Sequence, residues 1–336
     1  MAGKRRFEVT RRRLLAGAAG TVALVGAGAV ATFRRAAVQR ETLVVADGRQ
    51  LSSALFYIAL IQGYFAEQGL EVQVQSHSFS RRAMEALMAG KAELAMSSEV
   101  PIMHALADGH ALKVVANLQT SDRDMAILAR RDRAIAGPAD LAGKQVGYIA
   151  RTNGHVFLDQ FLAAHGLSAK VTTVAFAPEQ LVPALVTGAV DAVSSWASIR
   201  LAAASQLPES VVLTAPNVYL ECWGLAAAAA VAERKRGALE KFLRGLLRAE
   251  QLVADDSERA VGLVAQYLGQ GRPEVAALWP QFDFAVNLNQ TFIINLENAA
   301  RTERREDADP SKLDYALAID PTALRAVDPR RVTLLQ

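Results

Sequence analysis

From residue 42 onward, short apolar runs alternate with segments whose apolar positions recur at helical spacing. "TLVVAD" (42–47) has the length and composition of a buried strand. "GRQLSS" (48–53) supplies turn and cap residues. Leu55, Ile58, Ala59 and Gln62 then share one helical face, and the helix is expected to end at Gly69, a residue suited to a left-handed C-cap. "LEVQVQS" alternates as a half-buried strand does. A helix with Met84, Leu87 and Met88 stops at Gly90, and "ELAMS", "VPIMHALADG" and "LKVVANL" read as strand, helix and strand. Strands alternating with helices at this spacing predict an α/β fold with a mainly parallel sheet covered on both faces.

The pattern restarts near residue 138. "PADLAGKQVGYI" predicts a short helix, a turn and a strand, and "TNGHVFLDQFLAAHGL" a helix closed by Gly166. "KVTTVAF", "PEQLVPALVTG", "AVDAVSS" and "WASIRLAAAS" continue as strand, helix, strand and helix. One phrase occurs twice. "ALMAGKAELAMSS" (86–98) and "ALVTGAVDAVSSW" (184–196) align after a shift of 98 positions, with Glu93 on Asp191 and Ser97 on Ser195. Each copy ends a helix, stops at glycine, carries an acid, enters a strand and leaves through polar residues. Any helix-to-strand unit shares part of that pattern, but the matching order of flanking elements points to internal duplication. After residue 216 the chain reads as a strand, "CWGLAAAAA", and then as helices. The first of these, "KRGALEKFLRGLLRAEQLVAD", has Leu239, Phe242, Leu243, Leu246 and Leu247 on one stripe. "SERAVGLVAQYL" and "NLNQTFIINLENAART" are further helices.

Charge changes this picture only at the N-terminus. The chain has 37 Lys and Arg against 34 Asp and Glu. Nine of the bases and one acid fall in residues 1–40, which leaves 28 bases and 33 acids, a net charge of −5. No nucleic-acid partner is expected of such a body. Residues 1–40 have a cationic start, twenty uncharged residues (14–33) and a second basic stretch, the layout of a secretory signal. Thr10-Arg11-Arg12-Arg13-Leu14-Leu15 resembles the twin-arginine export motif, and Ala29-Val30-Ala31 offers a cleavage site. The alternative is an uncleaved anchor, since twenty residues are enough to span a bilayer. Cys222 is the single cysteine, so no intrachain disulfide and no Cys-rich metal site can form. The five histidines (77, 104, 110, 155, 165) lack metal-ligand spacing on a helix. No metal and no cofactor are expected.

"ALFYIALIQGYFAEQGLEVQV", "ALMAGKAELAMSS", "PADLAGKQVGYI" and the Gly-His helix start together resemble the periplasmic substrate-binding proteins of ABC importers. Within them the chain is similar to the branch that binds nitrate, taurine, aliphatic sulfonates and thiamine-pyrimidine precursors. The resemblance implies a two-lobed periplasmic-binding-protein fold of type II, with a ligand cleft between lobes joined by two crossovers. The expected division is 1–40 export signal and linker, 41–130 first part of lobe 1, 131–215 lobe 2, and 216–336 the return to lobe 1. It also implies a small-molecule ligand, an ABC permease partner, no catalysis and a monomer. Ligands of open α/β sheets bind beyond the carboxyl ends of the strands, and helix N-termini there favour anions. Four polar exits are therefore candidates. They are Ser52 and Ser53, Ser97-Ser98-Glu99, Thr152-Asn153-Gly154-His155, and Ser194-Ser195-Trp196. Arg49 and Arg151 adjoin two of them and are positioned to add charge or to form a solvated rim. Asn117, Ser121 and Asp122 are weaker candidates. Glu93 and Asp191 read as turn or cap residues away from the cleft. Glu99 in a cleft would repel a sulfonate or nitrate and welcome an amine. The ligand expected is a small anion or zwitterion of sulfonate, taurine or nitrate type. The alternatives are a thiamine-pyrimidine precursor, or a membrane-anchored sensory receptor of the same fold.

Overall fold

The structure is a computed structural model that describes residues 41–302 and 312–335. Residues 1–40, on which the export-motif, cleavage-site and anchor readings fall, lie outside the described residues. Among those residues no helix is long and apolar enough to cross a membrane.

Among the described residues twelve strands form two sheets. In chain order they are β1 (Glu41–Asp47), β2 (Leu70–Ser76), β3 (Leu94–Ser98), β4 (Leu112–Ser121), β5 (Met125–Arg130) and β6 (Gln145–Tyr148). β7 (Thr172–Ala175), β8 (Ala192–Trp196), β9 (Ser210–Leu213), β10 (Glu221–Ala228), β11 (Asp283–Asn289) and β12 (Val332–Thr333) follow. The first sheet has the order β12-β11-β4-β10-β3-β1-β2 and the second β7-β6-β8-β5-β9. The chain passes between them twice, through 122–124 and 214–220. The boundary drawn at 131 from sequence falls too late. "MAILAR" is β5, which pairs with β8 and β9 in the second sheet.

The sheets are mixed rather than mainly parallel. β1 pairs in parallel with β2 and β3, and β6 with β7 and β8. β10 runs antiparallel to β3 and β4, as β5 does to β8 and β9. Topology explains the reversal. β5 and β10 each follow a crossover, so the chain enters each sheet at the end where β3 and β8 leave it.

The two sheets share a core pattern, β2-β1-β3-β10-β4 against β7-β6-β8-β5-β9. The repeated phrase occupies β3 and β8 and does the same work in both. Gly90 (φ 67°) and Gly188 (φ 79°) stop the preceding helices in left-handed backbone, where a side chain would be strained. Glu93 Oε2 accepts from the Val44 N–H at 3.1 Å, while the Glu93 N–H donates to the Val44 carbonyl at 2.8 Å. Asp191 Oδ2 accepts from the Gln145 N–H, and its own N–H donates to the Gln145 carbonyl, both at 2.9 Å. Each acid clips the start of its strand to the parallel neighbour.

Two helix boundaries differ from the sequence pattern. The opening helix stops at Ile61 and resumes over Tyr64–Glu67, because Gly63 turns the chain through left-handed backbone. "NLNQTFIINLENAART" begins as β11, and its helix spans Gln290–Thr302. The stripe of the long helix Arg236–Asp255 packs on the opening helix, with Phe242 stacked on Phe65 at 4.6 Å and beside Phe56. Each such ring contributes about 2–3 kcal/mol of burial, and together they hold the first sheet rigid behind the cleft.

Candidate functional site

A cleft runs between the lobes at the carboxyl ends of the parallel strands. Gln50, Phe79, Ser80, Arg81, Arg82 and Pro101 line it from the first lobe. Ile149, Thr152, Asn153, Pro178, Glu179 and Trp196 line it from the second. The space between them, counted out to the solvent at its mouth, is about 510 Å³. Phe79 and Trp196 meet edge to face across it, with ring centroids 6.2 Å apart. Gln50 Oε1 accepts from the Ser80 N–H at 3.1 Å and fixes the first wall. Two cationic contacts join the rims. Arg151 Nη2 lies 2.5 Å from Asp108 Oδ2, and Arg81 Nη1 donates to the Ala150 carbonyl at 3.4 Å. Arg151 holds a positive φ of 60°, a backbone state that costs a non-glycine residue about 1 kcal/mol.

Behind this wall lies a cluster of buried acids. Glu221, the first residue of β10, accepts from Gln119 Nε2 at 2.8 Å and Ser52 Oγ at 3.3 Å. Its other oxygen accepts from Asn153 Nδ2 at 2.6 Å, a bond that joins the lobes. Asp124, on the first crossover, accepts from the Ala197 N–H at 2.9 Å. Glu99 accepts from the Tyr219 hydroxyl and, at 3.0 Å, from the Cys222 N–H. The one guanidinium in the cluster is Arg200, which donates to the carbonyls of Asp124 and Ser195. Burial pushes the Glu99 carboxyl up to about 7. Burial, then the charges of Asp124 and Glu99, hold Glu221 well above the ordinary carboxylate range. Asp124 is raised by burial against the opposing pull of Arg200. A carboxylate in low dielectric favours its neutral form, and a like charge nearby adds to that preference.

The structure gathers some of the sequence candidates and disperses others. Thr152, Asn153 and Trp196 line the cleft. Thr152 Oγ1 donates back to the Ile149 carbonyl at 2.7 Å and tightens the turn before the helix Asn153–Ala164. Ser52 reaches the cleft only through Glu221, and Ser53 Oγ accepts from Trp223 Nε1 at 3.0 Å. Glu99 is fully buried and turned to the second crossover. Ser98 is buried at the end of β3. Ser97 and Ser195 place buried hydroxyls, at matching positions of the repeat, without a partner among the described residues. Ser194 Oγ donates to the Gly154 carbonyl at 2.7 Å, which ties β8 to the facing helix.

Three candidates point elsewhere. The Arg49 guanidinium donates to the Tyr267 and Leu268 carbonyls. Asn117 faces Asn287 within the first sheet at 3.5 Å. His155 stacks on Tyr148 with ring centroids 4.4 Å apart, next to Asp159. Ser121 and Asp122 serve the first crossover, where Ser121 Oγ accepts from the Asp124 N–H at 2.9 Å. The central acids Asp124 and Glu221 were missed by sequence reasoning, as were Tyr219 and the cleft residues Gln50, Phe79, Arg81 and Arg82. One signal was available for Glu221, a charge directly before the apolar run "CWGLAAAAA".

Two lobes, two crossovers and a cleft at the strand ends define a periplasmic-binding-protein fold of type II. Residues 50–260 match the family described as NMT1/THI5 like, and the chain belongs to that family. The alkanesulfonate-binding protein SsuA of Xanthomonas axonopodis pv. citri, solved with MOPS, superposes with a TM-score of 0.72 at 19% identity. That match covers 83% of this chain and 98% of that one. The nitrate-binding protein NrtA of Synechocystis superposes at 0.67 with 13% identity, covering 86% and 88%. These two show the fold alone. A Haemophilus influenzae protein named for thiamine biosynthesis is 29% identical over 140 residues, 42% of this chain and 44% of its own length. The chain thus spans less than half the length of the curated relatives it matches.

Proposed function

We propose that the protein is the exported solute-binding component of an ABC importer, which closes two lobes on a small polar molecule and hands it to a membrane permease. The observation that carries this reading is the cleft wall shared between lobes, with Phe79 against Trp196 and Asn153 bonded across to Glu221. Residues from both lobes that contact one ligand stabilise the closed arrangement, and only differential contact of that kind drives closure.

The chemistry behind the wall refines the ligand. Glu179 in the cleft lining, with the buried acids behind the wall, disfavours a bare anion and favours an amine. The aromatic pair suits a flat or apolar body. Arg81 and Arg82 at the first rim, with the helix N-terminus at Asn153, suit an anionic end. A zwitterion of the taurine type and an aminopyrimidine of the thiamine-precursor type both carry such an amine, and nitrate does not. Calorimetric titration with taurine, aminopyrimidines, alkanesulfonates and nitrate tests this. Binding of an amine-bearing member is expected. Binding of nitrate alone overturns the amine assignment, and binding of none overturns the ligand class. Steady turnover of a bound member replaces the receptor reading with an enzyme. N-terminal sequencing of the exported protein separates a free receptor, starting near residue 32, from an anchored sensory one that retains Met1.

A further inference from the structure

The buried acids sit where the lobes hinge. Asp124 belongs to the first crossover, and Tyr219, which bonds Glu99, belongs to the second. Glu221 begins β10 immediately after the second crossover and touches groups from both lobes. The groups facing Glu221 are few. Asp124 comes from the first crossover, with Arg200 behind it on the helix Ala197–Ala204, and Glu99 comes from the helix after β3. Tyr219 and Cys222 flank it on its own chain, and Ser52, Gln119 and Asn153 are uncharged donors.

Three carboxyls with one guanidinium cannot all be ionised at low cost in a dry site. Asp124 and Glu221 are both buried at this seam, and Glu221 is bonded across it to Asn153, so a second ionised carboxyl there meets both the dry site and the charge of its neighbour. The bond from Asn153 exists because the second lobe is seated against the first. Swinging the lobes apart removes Asn153 and admits water to Glu221, so the acid is then solvated and ionises at lower pH.

We propose that closure of the cleft takes up a proton at the Asp124–Glu221 pair, so that the protein is biased closed in acid and open in alkali. This rests on the lobe-closing receptor reading and adds a regulator to it. The sign follows from linkage. The closed form binds more protons, so its stability relative to the open form is full at low pH and is lost as pH rises through the range where the buried pair ionises. For one proton, the ratio of closed to open changes by up to about tenfold per pH unit. The upward displacement of Glu221 by burial and by its acidic neighbours agrees with this direction.

The test needs no ligand. Ser78 and Gln180 are exposed beside opposite walls of the cleft, and Cys222 is buried. Spin labels on Ser78→Cys and Gln180→Cys report the distance between lobes from pH 5 to pH 9. The short-distance population is expected to dominate at pH 5 and to fall as pH rises. Glu221→Gln keeps the size and removes the titrating group at the cost of one accepted hydrogen bond, since both carboxylate oxygens accept and the amide has one acceptor oxygen; it is expected to flatten the response, and Asp124→Asn is expected to do the same. A parent protein whose distances ignore pH overturns the proposal, even if neither variant folds. So does a folded Glu221→Gln protein that responds as the parent does. Failure of every titrated ligand would count against the receptor reading without touching this result, and a flat pH response would leave ligand-driven closure standing.

Discussion

Glu99 offers a direct measurement of what a buried acid does to this fold. Its carboxyl is fully buried, and burial moves it from 4.5 to about 7. In the unfolded chain it titrates near the ordinary value, so between those two limits the folded state holds the extra proton. Stability therefore falls as pH rises from about 4.5 to about 7 and is level above. A displacement of roughly 2.5 pH units corresponds to about 3 kcal/mol. Glu99→Gln copies the protonated form, because its amide can donate to the Tyr219 oxygen while its carbonyl accepts from the Cys222 N–H. The variant is expected to match the parent near pH 5 and to exceed it by up to about 3 kcal/mol at pH 8. Urea unfolding followed by the fluorescence of the buried Trp196, Trp223 and Trp279 at pH 5, 6, 7 and 8 gives both curves. Parallel pH profiles for the two proteins would refute the reasoning, since they would show that Glu99 ionises as easily folded as unfolded.

The remaining predictions use other parts of the structure. A methyl group on Gly224 would lie 2.6 Å from Phe292 and 2.9 Å from Ile102, so Gly224→Ala is expected to cost about 1–3 kcal/mol in urea unfolding; a neutral result would show that the ring can swing aside. Gly48→Ala would put a methyl 2.4 Å from the Ser80 backbone nitrogen, so it is expected to displace the cleft wall and weaken binding of whichever titrated molecule binds, read by calorimetry. Glu93→Gln and Asp191→Asn should destabilise similarly, by about 1–2 kcal/mol each, because each acid clips one strand start; a large cost at one and none at the other would break the equivalence of the two sheets. Trp196→Ala should weaken binding of an aromatic ligand more than that of taurine, and equal losses would place the ring outside the contact.

The alternation of strands and helices and the twin phrase were legible because periodicity and glycine stops are local. Glu93 and Asp191 read from position as turn or cap residues away from the cleft, and their bonds to Val44 and Gln145, which clip strand starts, depend on neighbours that position alone does not announce. β5 escaped because it is short and apolar and its partners β8 and β9 lie more than sixty residues further on. The same limit governs the site. Thr152, Asn153 and Trp196 are at strand exits, where the fold puts ligands, and the cleft collects them. Arg49 is also at an exit, yet its side chain turns to carbonyls near residue 268, a contact no local pattern announces. Asp124, Glu99 and Glu221 lie far apart in sequence and meet only because both crossovers pass beside the end of β3.

The duplication gives the two lobes matching frames, and the function must come from where the frames differ. The exits of β3 and β8 share a serine with an unpartnered hydroxyl, and then diverge, Ser98-Glu99 against Trp196-Ala197. The acid turns inward to the second crossover, and the aromatic ring turns outward to Phe79. One exit thus faces the hinge and the other the cleft. A symmetric pair of walls would bind a ligand without coupling it to anything behind. Here Asn153 is both cleft wall and donor to Glu221, so a ligand that presses on Asn153 acts on the buried acids in the same step. On the proposed reading, a substitution at Asn153 should change selectivity and closure together.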